Sequence, residues 1–125
     1  MANSENAVVS PETMRDSVVS MAIESWRFAR TFERLLGKLD AGEQVRYISQ
    51  YNWFMKKVVE ALNQVNLWVV NFEGQPFDIG MSATPLNIDE FDPENDTLIV
   101  DKVLEPTIMG KDGLVKTGTI TLRKA

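Results

Sequence analysis

The chain has 125 residues, 44% of them hydrophobic and 25% charged, with a formal net charge of −5. That is room for one domain or two very small ones, and a negative balance with no Lys or Arg cluster argues against a general nucleic-acid binder, which needs a basic surface to neutralise phosphates. Cysteine and histidine are both missing, which excludes disulfides, thiolate metal sites and thiol nucleophiles and removes the commonest general base and metal ligand near neutral pH.

Met1 to Val9 is polar and lacks the charged start and apolar core of a signal peptide. Residues 1–9 read as a disordered lead. No apolar run approaches the roughly 20 residues that cross a bilayer, so the expectation is a cytoplasmic protein with no membrane partner. Ser10-Pro11-Glu12 is a helix start. Ser10 caps, Pro11 suits the first helical position, and Glu12 favours the positive end of the helix dipole. Met14, Val18, Met21, Ser25, Phe28, Phe32, Leu35 and Leu39 then alternate by four and three, and Ala22, Trp26, Ala29 and Leu36 widen the stripe.

Gly37 and Gly42 bracket a break, and Asp40-Ala41-Gly42-Glu43 has the form of a capping box. A second helix follows over 41–66, and one continuous helix kinked at 37–42 is the alternative. Ile48, Tyr51, Met55, Val58, Leu62 and Val65 keep the heptad alternation, with Trp53, Phe54 and Val59 on its flanks. Two such helices pack antiparallel, and one pair cannot bury both wide stripes. The expectation is a homodimeric four-helix bundle over 10–66, with Phe28, Phe32, Leu35, Ile48, Tyr51, Met55, Val58 and Leu62 at the interface. Aromatics at this spacing read as core or interface filler, not as a ligand box.

From Leu67 the pattern changes. Leu67 to Phe72 reads as a strand, Glu73-Gly74-Gln75-Pro76 as a turn, and 77–96 as loop. Thr97 to Leu104 and Leu114 to Leu122 read as further strands. Gly110-Lys111-Asp112-Gly113 makes a hairpin turn with Gly113 suited to positive φ, and Pro106 marks an edge or bulge. The fold class is therefore α+β: a helical hairpin followed by a small antiparallel β head over 67–125.

Nothing in the head is a strong chemical motif. The acidic run Asp89 to Asp96 lacks the glycine and spacing of a calcium loop and reads as a solvated loop. Asn95-Asp96-Thr97 fits a glycosylation sequon that is common by chance. Gly110 to Gly113 is not a phosphate loop. No metal, no cofactor and no catalysis are expected.

The order of these elements and their wording resemble the GrpE family, the nucleotide exchange factors of DnaK-type chaperones. Asn66-Leu67-Trp68-Val69-Val70 stands at the family's first head strand, and Gly74-Gln75-Pro76-Phe77-Asp78 at its Gly-x-Pro-Phe-Asp element. Thr97 to Leu104 and Gly113 to Leu122 resemble its closing strands. The likeness spans roughly residues 28–122. It implies a dimer whose β head binds the nucleotide-binding domain of a DnaK-type chaperone and promotes ADP release. It further implies contacts through the exposed edge and hairpin, at Pro106, Met109, Leu114 and Lys116, with Phe77 as a supporting core residue. The alternative is a non-catalytic adaptor or assembly module that docks a similar head on another protein complex.

Overall fold

The computed structural model describes residues 8–125, so residues 1–7 of the expected lead lie outside the described residues. Helix α1 (Pro11–Leu36) and helix α2 (Ala41–Gln64) form the hairpin. Both starts follow the sequence signals. The Ser10 hydroxyl accepts from the Thr13 amide at 3.1 Å, and Asp40 Oδ1 accepts from the Glu43 amide at 2.9 Å. The chain turns between them over residues 37–40, so the break is a loop and not a kink.

Six strands follow: β1 (Leu67–Val70), β2 (Ala83–Pro85), β3 (Leu98–Glu105), β4 (Thr107–Gly110), β5 (Gly113–Lys116) and β6 (Gly118–Lys124). They form two three-stranded sheets, ordered β1-β4-β5 and β2-β6-β3. The α+β class and the hairpin-then-head order hold, with three differences in detail. The head is two sheets, and β2 runs parallel to β6 while every other strand pair is antiparallel. The run expected as one strand over 114–122 is split at Thr117, where the chain leaves the first sheet for the second.

Inside the expected loop, β2 forms because the chain past Ser82 can ladder onto β6. Asn87 extends that ladder with its side chain: its amide nitrogen donates to the Leu122 carbonyl at 3.0 Å, and its Oδ1 accepts from the Leu122 amide at 2.8 Å. The β4–β5 turn is as expected. Gly110 pairs with Gly113, whose φ is +121°, a conformation glycine adopts without a Cβ clash.

The interior has two parts, and each draws on helix and sheet. One joins Trp26 of α1 to Leu98, Val100, Val103, Ile120 and Leu122 of β3 and β6. The other joins Val19, Ala22 and Ile23 of α1 and Leu62 of α2 to Leu67 and Ile108 of β1 and β4. The change from helix to strand after residue 66 is thus not a boundary between two cores. Helix α1 turns its Val19, Ala22, Trp26, Ala29 and Leu36 side inward. Alanines at 22 and 29 let the helix approach closely, and Trp26 fills the space between them.

The two sheets meet at a polar corner. Pro106, between β3 and β4, and Thr107, the first residue of β4, are fully buried. The Thr107 hydroxyl donates to the Ser82 carbonyl at 2.6 Å and accepts from the Gly118 amide at 3.2 Å. A Cβ on Gly118 would sit 2.5 Å from that hydroxyl and 2.9 Å from the Glu105 carbonyl. Gly118→Ala is therefore expected to destabilise the fold by about 1–3 kcal/mol, the usual cost of overpacking, read as a lowered urea midpoint with an unchanged slope. Wild-type stability in that variant would show that the corner yields without cost.

Candidate interaction surfaces

Turning its small-residue side inward leaves α1 with an uncovered apolar row. Met14, Met21, Phe28 and Leu35, at heptad spacing, are all more than half exposed, Phe28 at 70%. Helix α2 adds Val45, Ile48, Trp53 and Phe54, also exposed. Between the helices lies a groove of about 550 Å³ lined by Phe28, Phe32, Tyr51, Trp53 and Phe54. Phe32 and Tyr51 stack across it with ring planes 3° apart and centroids at 6.5 Å. The ammonium of Lys57 stands 4.4 Å from the Trp53 ring centroid, a cation–π contact that leaves the ring in place at the rim. Single exposed apolar side chains are ordinary, whereas contiguous ones mark an interface.

A second surface lies on the head. In the sheet β1-β4-β5, Leu67, Val69, Ile108 and Val115 face the core. Strand alternation sends Trp68, Met109 and Leu114 to the other side. Register places Trp68 opposite Met109, and Met109 opposite Leu114. These three make one transverse apolar row, with Trp68 42% and Leu114 48% exposed. Lys116 is exposed at the end of β5. Strand β5 is an edge of its sheet, so one side of its backbone has no ladder partner, a place where a further strand can add.

The expected site residues divide accordingly. Met109 and Leu114 belong to the outward side of one sheet, whereas Lys116, past an irregularity in the β4–β5 pairing, stands opposite the inward-facing Ile108 and beside α1. Pro106 does not join them: it is buried at the corner where the chain passes from one sheet to the other. A residue without an N–H donor suits a point where the ladder changes partners. Phe77 is half-buried and packs against the core. Of the expected dimer residues, Phe28, Leu35 and Ile48 are exposed, while Phe32 and Tyr51 are half-buried at the groove. Leu62 is 0% exposed and buried against its own chain, and Val58 and Met55 also lean on the intrachain core. The Leu62 side of the C-terminal end of α2 is covered within the chain, which takes Leu62 out of the expected interface.

Trp68 was not among the expected contacts. Its signal was hidden because Leu67-Trp68-Val69-Val70 is apolar throughout, so no alternation marks the outward residue. Only the pairing with Met109 and Leu114 reveals its side.

The chemistry these surfaces offer is apolar and hydrogen-bonding. Among the described residues no group of three or more His, Cys, Asp or Glu side chains is arranged to hold a metal ion. No helix is long and apolar enough to cross a membrane. No protein-family model, curated protein or solved structure matches the chain.

One ionisable group reports on the groove. Burial, and then the nearby Glu33 carboxylate, push the Tyr51 phenol above its ordinary value. The folded state favours the neutral phenol, so its contribution to stability is complete below the unfolded value of about 10 and disappears as pH rises through the higher folded value. Ultraviolet titration of the phenolates is expected to show a late-ionising tyrosine that vanishes in Tyr51→Phe and moves down in Glu33→Gln. If Tyr51 ionises like a free phenol, the groove is open to water at its centre.

Proposed function

We propose that this chain is a GrpE-like co-chaperone that dimerises through its helical hairpin and uses its β head to bind the nucleotide-binding domain of a DnaK-type chaperone, promoting ADP release. The observation that carries the reading is the outward row Trp68-Met109-Leu114 on a sheet whose other side is sealed against the helices. A head fixed in this way presents a firm face to a partner. The segments that resemble the family support the reading too, since they supply β1, β3, β5 and β6 of that head.

The mechanism is differential binding. The head binds the open, nucleotide-free form of the partner's cleft more tightly than the closed form, and by linkage weakens ADP by the same factor. A preference of about 1–3 kcal/mol gives a change of roughly 5- to 150-fold. No bond is made or broken by this chain. The hairpin's part is to pair two copies: the groove around Phe28, Phe32 and Trp53 on one protomer covers the same groove on its partner, as a twofold interface requires.

The same surfaces serve a second reading, a non-catalytic adaptor docking on another protein complex. The burial of Pro106 favours it, because one of the four head contacts that the family resemblance implies is then out of reach.

The test loads a DnaK-type chaperone from the same source with fluorescent ADP and follows release. Release is expected to quicken at least tenfold with this protein and to lose most of that gain with Trp68→Ala/Leu114→Glu, both at exposed positions. Unchanged release at saturating protein rejects the exchange-factor reading and leaves the adaptor. Separately, light scattering is expected to report about twice the 14.1 kDa of one chain, falling to one chain mass in Phe28→Asp/Trp53→Asp with helicity retained. A wild-type monomer at micromolar concentration would remove the paired-hairpin step.

A further inference from the structure

A separate cleft of about 930 Å³ runs between the C-terminal half of α1 and the outward side of β3 and β6. Its charge runs against that of the whole chain. Arg27, Arg30, Arg34 and Lys102 line it, against the carboxylates of Glu33 and Glu105, in a protein of net charge −5. Arg30 is fully engaged within the fold, donating to Val103, Glu33 and Glu73. The other three cations keep capacity. Arg27 touches Glu105 at 3.2 Å with its side chain still 57% exposed, and Lys102 reaches Glu73 only at 3.9 Å. Arg34 is exposed and forms no ion pair among the described residues. A guanidinium offers five donors in a planar fork that matches a carboxylate. The floor is apolar: Leu104 is half-buried and Leu86 is 60% exposed.

We propose that this cleft binds an extended acidic peptide segment carrying an apolar side chain. Carboxylates of the segment meet Arg27, Arg34 and Lys102, and its apolar side chain covers Leu86 and Leu104. Arg27 and Arg34 stand about 10 Å apart along the helix axis, a distance that three to four extended residues cover at about 3.3 Å each. Glu33 and Glu105 select a peptide over a nucleic acid. They accept backbone N–H donors, which a phosphodiester backbone lacks. The cleft shares no residue with the Trp68 row or the hairpin groove, so the inference stands apart from the exchange-factor reading.

The test uses the full chain and a fluorescein-labelled peptide, Glu-Glu-Leu-Glu-Glu, in fluorescence anisotropy at low salt. Saturable binding is expected, weakening as salt screens the charges. It should fall at least tenfold in Arg34→Glu/Lys102→Glu and with the neutral peptide Gln-Gln-Leu-Gln-Gln. Circular dichroism of the variant checks that its fold is intact, which the exposure of both side chains predicts; Arg34→Gln/Lys102→Gln, without charge reversal, should give a smaller loss in the same direction. No saturable binding, equal binding by the charge-reversed variant, or tighter binding of an oligothymidylate of similar length would each overturn the proposal.

Discussion

A single backbone oxygen organises this molecule. The carbonyl of Val103 lies on an edge of the β2-β6-β3 sheet, where no neighbouring strand can use it. Helix α1 uses it twice: Trp26 Nε1 donates at 3.1 Å and Arg30 Nε at 2.8 Å. The same Arg30 guanidinium holds Glu33 on its own helix and Glu73 in the turn after β1, and stands 5.9 Å over the Trp26 ring. Burial works against its charge, yet the hydrogen bonds and attraction of Glu73 and Glu33 win, so its pKa lies above the ordinary guanidinium value. A pair of this kind adds little net stability, but removing one partner leaves the other charge buried and uncompensated. Three segments far apart in the chain are fixed by one side chain, and the sheet edge is closed to strand addition at the same stroke.

From that docking follows which surfaces are covered and which are open. With Trp26 inward, the heptad positions Met14, Met21, Phe28 and Leu35 must turn outward, since they lie roughly a third to a half of a turn away on the helix. With Leu67 and Ile108 sealed beneath the helices, Trp68, Met109 and Leu114 must face the other way. The hairpin groove and the head row share no residue, so in the proposed function a paired copy and a bound chaperone do not compete for the same side chains.

Much of this was legible beforehand, and the rest was hidden for physical reasons. Helix starts and the interhelical turn are local events, set by Ser10, Pro11, Asp40 and Gly37, and they read directly. Gly113 reads directly too, since a tight hairpin demands positive φ there. The inward side of α1 did not read, because apolar residues cover more than half its circumference and periodicity alone cannot choose between neighbouring stripes. The choice is made by long-range partners, chiefly the Val103 carbonyl. Leu62 fits the same heptad as Ile48 and Tyr51, and only the return of β1 and β4 over the end of α2 buries it. Pro106 announced an irregularity but not its depth. The parallel β2–β6 pair rests on Ser82, Asn87 and Gly118, residues whose joint role no local window contains.

The passage from α2 to β1 has a mechanical consequence. Asn66, with φ of 62°, is the single left-handed residue between the helix and Leu67, a conformation asparagine tolerates better than most residues other than glycine. There is no slack at that joint. Helix α2 has 24 residues, about 36 Å of nearly rigid rod, so a tilt of about 5° around its far end sweeps the near end through about 3 Å. In the proposed dimer the rod acts as a lever arm with Asn66 as its wrist, so strain applied at its far end reaches Trp68 as displacement instead of dissipating in a linker.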